Sequence, residues 1–73
     1  MTVFDLKKGD EATVTAIKLD GGAAARLSAL GLKTGTRVHI LSFSLFKSAV
    51  LISFGAVRLG IRKTLANAIQ VEK

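Results

Sequence analysis

Few residues in this chain are able to carry chemistry. There is one histidine, His39, and five carboxylates, Asp5, Asp10, Glu11, Asp20 and Glu72. Cysteine is absent, so no thiolate can act as nucleophile, ligate a metal or form a disulfide. A structural zinc site needs four protein ligands and a catalytic one needs three. One imidazole and scattered acids do not supply such a set. His39, flanked by Val38 and Ile40 and next to Arg37, reads as a surface residue of a strand with no carboxylate near it. The serines lack a paired base, and no Gly-x-x-x-x-Gly-Lys-Ser/Thr run is present to cradle a nucleotide phosphate. We therefore expect no catalytic, cofactor-binding or metal-binding residues, no bound cofactor and no enzymatic activity.

What the chain does offer is positive charge, concentrated in one stretch. Residues 1–20 carry Lys7, Lys8 and Lys18 against four acids. Residues 21–63 carry Arg26, Lys33, Arg37, Lys47, Arg58, Arg62 and Lys63 with no acid at all, and the formal net charge is +6. An acid-free stretch of this length suits an acidic protein surface, an anionic membrane face or nucleic acid, or simply a solvated exterior.

The elements that must position these groups are short. Seventy-three residues allow one domain, expected to span 1–73, and such a chain buries about 60–65% of its unfolded surface. A hydrophobic fraction of 49% is enough for a core without staples and leaves some apolar surface to spare. Charged residues interrupt the N-terminus before any apolar signal sequence forms, and the longest uncharged run within Val38–Ile61 is ten residues, Ser48–Val57. A membrane-spanning helix needs about 20. A cytoplasmic protein is the expectation.

Leu6-Lys7-Lys8-Gly9-Asp10 reads as a turn, followed by a β-branched strand over about 11–18 that Asp20-Gly21-Gly22 stops. Residues 23–30 read as a helix with Ala23, Leu27 and Leu30 on its inner face, and Gly31 as a left-handed cap with Leu32 folded back. Strands are expected over about 37–43, 49–54 and 57–62. A loop at 44–48 joins the first two and a two-residue Gly55-Ala56 turn the last two. Thr64 is a candidate cap for a helical turn through Ala68, before a final strand at 69–71. Five short strands and one helix inserted after the first describe a mostly-β, small antiparallel barrel, closed so as to remove its edges.

Read in order, the chain resembles the FeoA family. The resemblance is carried by Leu6-x-x-Gly9, by Arg26-Leu27-x-x-Leu30-Gly31-Leu32, by Thr34-Gly35-Thr36-x-Val38-x-Ile40 and by Leu59-x-Ile61-Arg62-Lys63-x-x-Ala66-x-x-Ile69-x-Val71. It covers nearly the whole chain. It implies an SH3-like β-barrel and a cytoplasmic accessory or regulatory protein of bacterial ferrous iron uptake. The implied partner is the cytosolic GTPase region of the FeoB transporter, which would place the protein beside a membrane without spanning it. One departure stands out: the family's Pro-x-Gly-Asp-Pro-like loop is replaced by Leu45-Phe46-Lys47-Ser48-Ala49, which lacks both prolines and the glycine.

The candidate partner-binding residues are Leu27, Leu45, Phe46, Lys47, Arg58, Arg62 and Lys63. Leu45 and Phe46 stand at a hairpin tip where polar residues are usual, which suggests contact with a partner or a second copy; the alternative is that they fold back over an open barrel end. Arg58 and Arg62 share a strand face, with Lys63 following, and suit an acidic patch. Leu27 reads first as core and becomes a binding ridge only if the helix tilts. Two rival functions remain in view: a basic barrel that binds nucleic acid, short of aromatic stacking residues, and a stand-alone regulatory domain of the DtxR repressor type.

Overall fold

Alternating apolar positions joined by tight turns lead to antiparallel pairing, and the computed structural model, which describes residues 1–73, has that form. Strands β1 (Glu11–Ile17), β2 (Arg37–Phe43), β3 (Ala49–Phe54), β4 (Val57–Arg62) and β5 (Ile69–Glu72) make one sheet in the order β4-β3-β2-β1-β5. Every ladder is antiparallel. Helix α1 (Gly21–Leu30) follows β1, a single-turn α2 (Lys63–Ala66) precedes β5, and a 3-10 turn at Val3–Asp5 opens the chain.

The strand faces alternate as the residue types demand. Ala12, Val14, Val38, Ile40, Val50, Ile52, Phe54, Ile61, Ile69 and Val71 point inward, and Val3, Leu6, Leu27, Leu32 and Ala66 complete an entirely apolar core. Burying each larger side chain contributes roughly 1.5–3 kcal/mol. Two irregularities in the ladders, at Val14/Ala16 against β5 and at Ile40/Ser42 against β3, curl the sheet around this core.

The sheet does not close into the edge-free barrel expected from the sequence. No ladder joins β4 to β5, because the chain between them is taken up by α2, which packs on β3, β4 and the N-terminal turn and sinks Ala66 into the gap. The outer edge of β5 is covered instead by the N-terminus: Thr2 bridges Gln70, and the Val71 N–H donates to the Met1 carbonyl at 2.9 Å. On β4, the two-residue turn at Gly55-Ala56 makes Phe54–Val57 a hydrogen-bonded pair. By alternation, the backbone groups of Arg58, Gly60 and Arg62 face away from β3.

The helix starts two residues earlier than expected, with the Ala24 N–H donating to the Asp20 carbonyl at 3.0 Å. First-turn N–H groups have no intrahelical acceptor, so Gly21 and Gly22 are tolerated there. Gly31 caps the helix as expected, at φ 104°, with its N–H and that of Leu32 returning to Ser28 and Leu27. Leu30 is a correction: it is 42% exposed, and Ala23 is exposed as well. The buried stripe runs instead through Leu27 and the capped-back Leu32. Thr64 is not a cap either; α2 begins one residue earlier, where the Lys63 N–H donates to the Ser48 carbonyl at 2.9 Å.

Candidate interaction surface

The most exposed apolar residues lie at the tip of the β2–β3 connection. Leu45 is 80% and Phe46 91% exposed, so neither folds back over the barrel end. The loop beneath them is well tied. The Ser44 N–H donates to the Ala49 carbonyl, the Ala49 N–H returns to the Ser44 hydroxyl, and the Lys47 N–H donates to the Ser44 carbonyl, all at 2.8–2.9 Å. The Ser44 and Ser48 hydroxyls lie 3.0 Å apart.

With no glycine in residues 44–49, the turn takes its left-handed backbone from ordinary residues. Phe46 has φ 64° and Lys47 φ 54°. An L-residue pays roughly 1–2 kcal/mol for that conformation, and a bulky one seldom adopts it. From this backbone the Phe46 ring points outward at 91% exposure, with almost no burial to offset the cost.

Two lysines flank this tip on a shared aromatic base. Phe4 and Phe43 meet edge to face, with centroids 5.5 Å apart. The Lys47 ammonium lies 4.6 Å from the Phe43 centroid and 5.7 Å from that of Phe4, and the Lys63 ammonium lies 5.6 Å from Phe4. Such placement restrains a lysine while leaving its charge uncompensated. No linear pattern could have revealed it, since residues 4, 43, 47 and 63 meet only through the tertiary fold.

Arg62 pairs across strands with Ala49, at the base of the same loop, and Arg58 lies further along the exposed face of β4 opposite Ser53. Lys47, Arg58, Arg62 and Lys63 have no carboxylate in ion-pair contact. The structure thus brings Leu45, Phe46, Lys47, Arg62 and Lys63 to one end, with Arg58 continuing along β4. Leu27 is set apart: it is only 4% exposed, and the Gly31 cap draws Leu32 in beside it. It is a core residue and not part of a partner surface.

Three of the five acids are held by other partners. His39 does have a carboxylate neighbour, contrary to the expectation from sequence. The β1–β2 register sets it opposite Glu11, with His39 Nδ1 3.0 Å from Glu11 Oε2. Arg37 holds the other Glu11 oxygen at 2.8 Å, and its hydrogen bond keeps that carboxyl below its usual range. The guanidinium also makes this pair unfavourable for a cation. Asp5 and Asp10 are likewise lowered, chiefly by accepting the N–H groups of Thr2 and Lys7. No helix is long and apolar enough to cross a membrane.

Comparison with known proteins gives this surface a context. A FeoA protein from Chlorobium tepidum is 30% identical, with a TM-score of 0.92 over 97% of this chain and 68% of its own. A Stenotrophomonas maltophilia FeoA, solved with zinc and described as a prokaryotic SH3-domain protein and a candidate ferrous iron transport activating factor, is 25% identical. Its TM-score is 0.83 over 99% of this chain and 89% of its own. The mostly-β fold is thus SH3-like. It is shared with part of a manganese-dependent transcriptional repressor at 19% identity and a TM-score of 0.83, over 97% of this chain and 40% of the repressor. At that identity the likeness concerns the fold alone. A search of curated protein sequences finds no match. The FeoA domain model matches residues 1–73, and with it this chain belongs to the FeoA family.

Proposed function

We propose that this protein is a non-enzymatic cytoplasmic regulator of ferrous iron uptake that binds the cytosolic GTPase region of a FeoB-type transporter. The observation that carries the reading is the exposed face of β4, where Arg58 and Arg62 stand unpaired beside Lys63 with no acid anywhere in residues 21–63. A basic face on a rigid strand steers and orients an acidic partner. Binding would act by making better contacts with one conformation of the GTPase than with another, shifting its population.

The test is calorimetric titration of the FeoB cytosolic region at rising salt, with wild type and with Arg58→Glu/Arg62→Glu. The reading requires binding that weakens with salt and drops at least about tenfold in the variant. Salt-independent binding, or full binding by the variant, rejects the β4 face. Nucleic acid is the less favoured reading: Phe46 is the only fully exposed ring, Phe54 is core, and Phe4 and Phe43 are half-buried against each other. A stacking surface needs successive exposed rings. Filter binding at low salt tests this directly.

A further inference from the structure

We propose that the Leu45–Phe46 tip is a membrane-surface anchor. In this reading its two apolar side chains enter the interfacial zone of an anionic bilayer while Lys47, Lys63 and Arg62 engage lipid phosphates. The inference stands whether or not the β4 face binds a transporter.

Three observations converge on a lipid surface. The tip presents a leucine and a phenylalanine at 80% and 91% exposure on a loop whose neck is hydrogen-bonded, so they project as a fixed prong. The ring is held out by left-handed backbone at Phe46 and Lys47, a conformation that costs energy; it sets the Lys47 ammonium over Phe43 and Phe4 but gives the Phe46 ring almost no burial. Three cations stand at the base of the prong. Lys47 and Lys63 both stand over the Phe4 ring, and Arg62 sits at the loop base, opposite Ala49. The nearest acid in sequence to that aromatic base, Asp5, is turned onto the Thr2 N–H and hydroxyl.

An apolar tip inside a cationic collar matches the layering of a bilayer surface, with acyl boundary at the centre and phosphates around it. A second copy is a poorer occupant, because two tips packed against each other would bring their cationic collars face to face. Two apolar side chains with three cations give reversible binding, weaker than a lipid anchor. That strength suits a protein working beside a membrane protein.

The experiment is co-sedimentation of the full chain with vesicles of phosphatidylcholine alone and of phosphatidylcholine with phosphatidylglycerol. Binding should require the anionic lipid and weaken with salt. Leu45→Ser/Phe46→Gly should reduce it at least about tenfold, and Lys47→Ser or Lys63→Ser about fivefold each at low salt. Glycine suits the backbone at residue 46, so the double variant should fold; circular dichroism verifies this. The chain has no tryptophan, so F46W introduces a sole indole whose emission should shift to the blue on the anionic vesicles and be quenched by brominated lipid.

Failure of the wild type to sediment overturns the proposal. Undiminished binding by Leu45→Ser/Phe46→Gly reduces the effect to bulk charge and also overturns it. If the wild type sediments only with vesicles displaying the FeoB cytosolic region and Leu45→Ser/Phe46→Gly does not, the tip is a protein contact and the proposal is overturned. If the tip variant instead abolishes a dimer seen by analytical ultracentrifugation, it is an interface between copies.

Discussion

Replacing Phe46 by glycine and, separately, by alanine tests whether the loop stores strain. Both changes remove the same ring, which is 91% exposed, so the lost burial is at most a few tenths of a kcal/mol and cancels between them. They differ in backbone. At φ 64° an L-residue carries about 1–2 kcal/mol that glycine does not, while glycine loses about 0.5–1 kcal/mol more chain entropy on folding. Phe46→Gly should therefore be more stable than Phe46→Ala by about 0.7 kcal/mol, or roughly 3–6 °C in Tm for a domain of this size. Phe46→Gly should also exceed the wild type, and Phe46→Ala should not. Urea and thermal unfolding followed by far-UV circular dichroism measure the difference, since the chain has neither Trp nor Tyr to serve as an intrinsic fluorophore. Equal stability of the two variants, or a less stable Phe46→Gly, would show that the loop relaxes without strain and would remove that support for a functional tip. A gain in stability coupled to loss of vesicle binding is the expected pattern for a residue kept for contact and not for folding.

Leu27→Ala should cost about 2–4 kcal/mol by urea denaturation, as expected for a buried leucine, whereas Leu30→Ala should change stability by under about 0.5 kcal/mol; the reverse ranking would mean that the helix presents another face. Gly31→Ala should destabilise by about 1 kcal/mol through its φ of 104° alone, because an added Cβ would meet Phe54 only at ordinary contact distance, 3.8 Å. Asp5, Asp10 and Glu11 are all lowered in the folded state, so each contributes stability that is complete above the ordinary carboxylate range and is lost as pH falls through that range to the folded values. Thermal melts should accordingly show Tm falling below about pH 5, and Asp10→Asn should flatten part of that decline. A Tm that rises on acidification contradicts the assignment.

Much of the fold was legible because it rests on local chemistry. The period-two runs in 37–43, 49–54 and 57–62 can bury one face only as strands, and the structure places them there. Gly31 ends the helix because only glycine takes φ near 104° without penalty, and Gly55 makes the β3–β4 turn for a related reason. The misreadings fall where a residue's environment depends on packing. Leu30 has the spacing of a core residue but stays 42% exposed on the helix. Thr64 has the chemistry of a cap but follows the helix start, which a backbone bond to Ser48 sets.

Residue types alone determined that this chain has no cysteine and a single histidine, one acid-free basic stretch, and the ordered pattern of the FeoA family. Tertiary structure decided which of those charges and apolar groups act together. Whether Leu45 and Phe46 were exposed depended on the dihedral angles of a glycine-free loop, and neither composition nor period encodes those. That Lys47 and Lys63 share one aromatic base with Phe4 and Phe43 depended on α2 docking beside the β2–β3 loop. Whether His39 met a carboxylate depended on the register of β1 against β2, which the hydrophobic alternation of both strands selects jointly. Open edges, strained turns and clusters of distant residues are properties of how the elements meet, and their energies arise only once the core has brought those elements together.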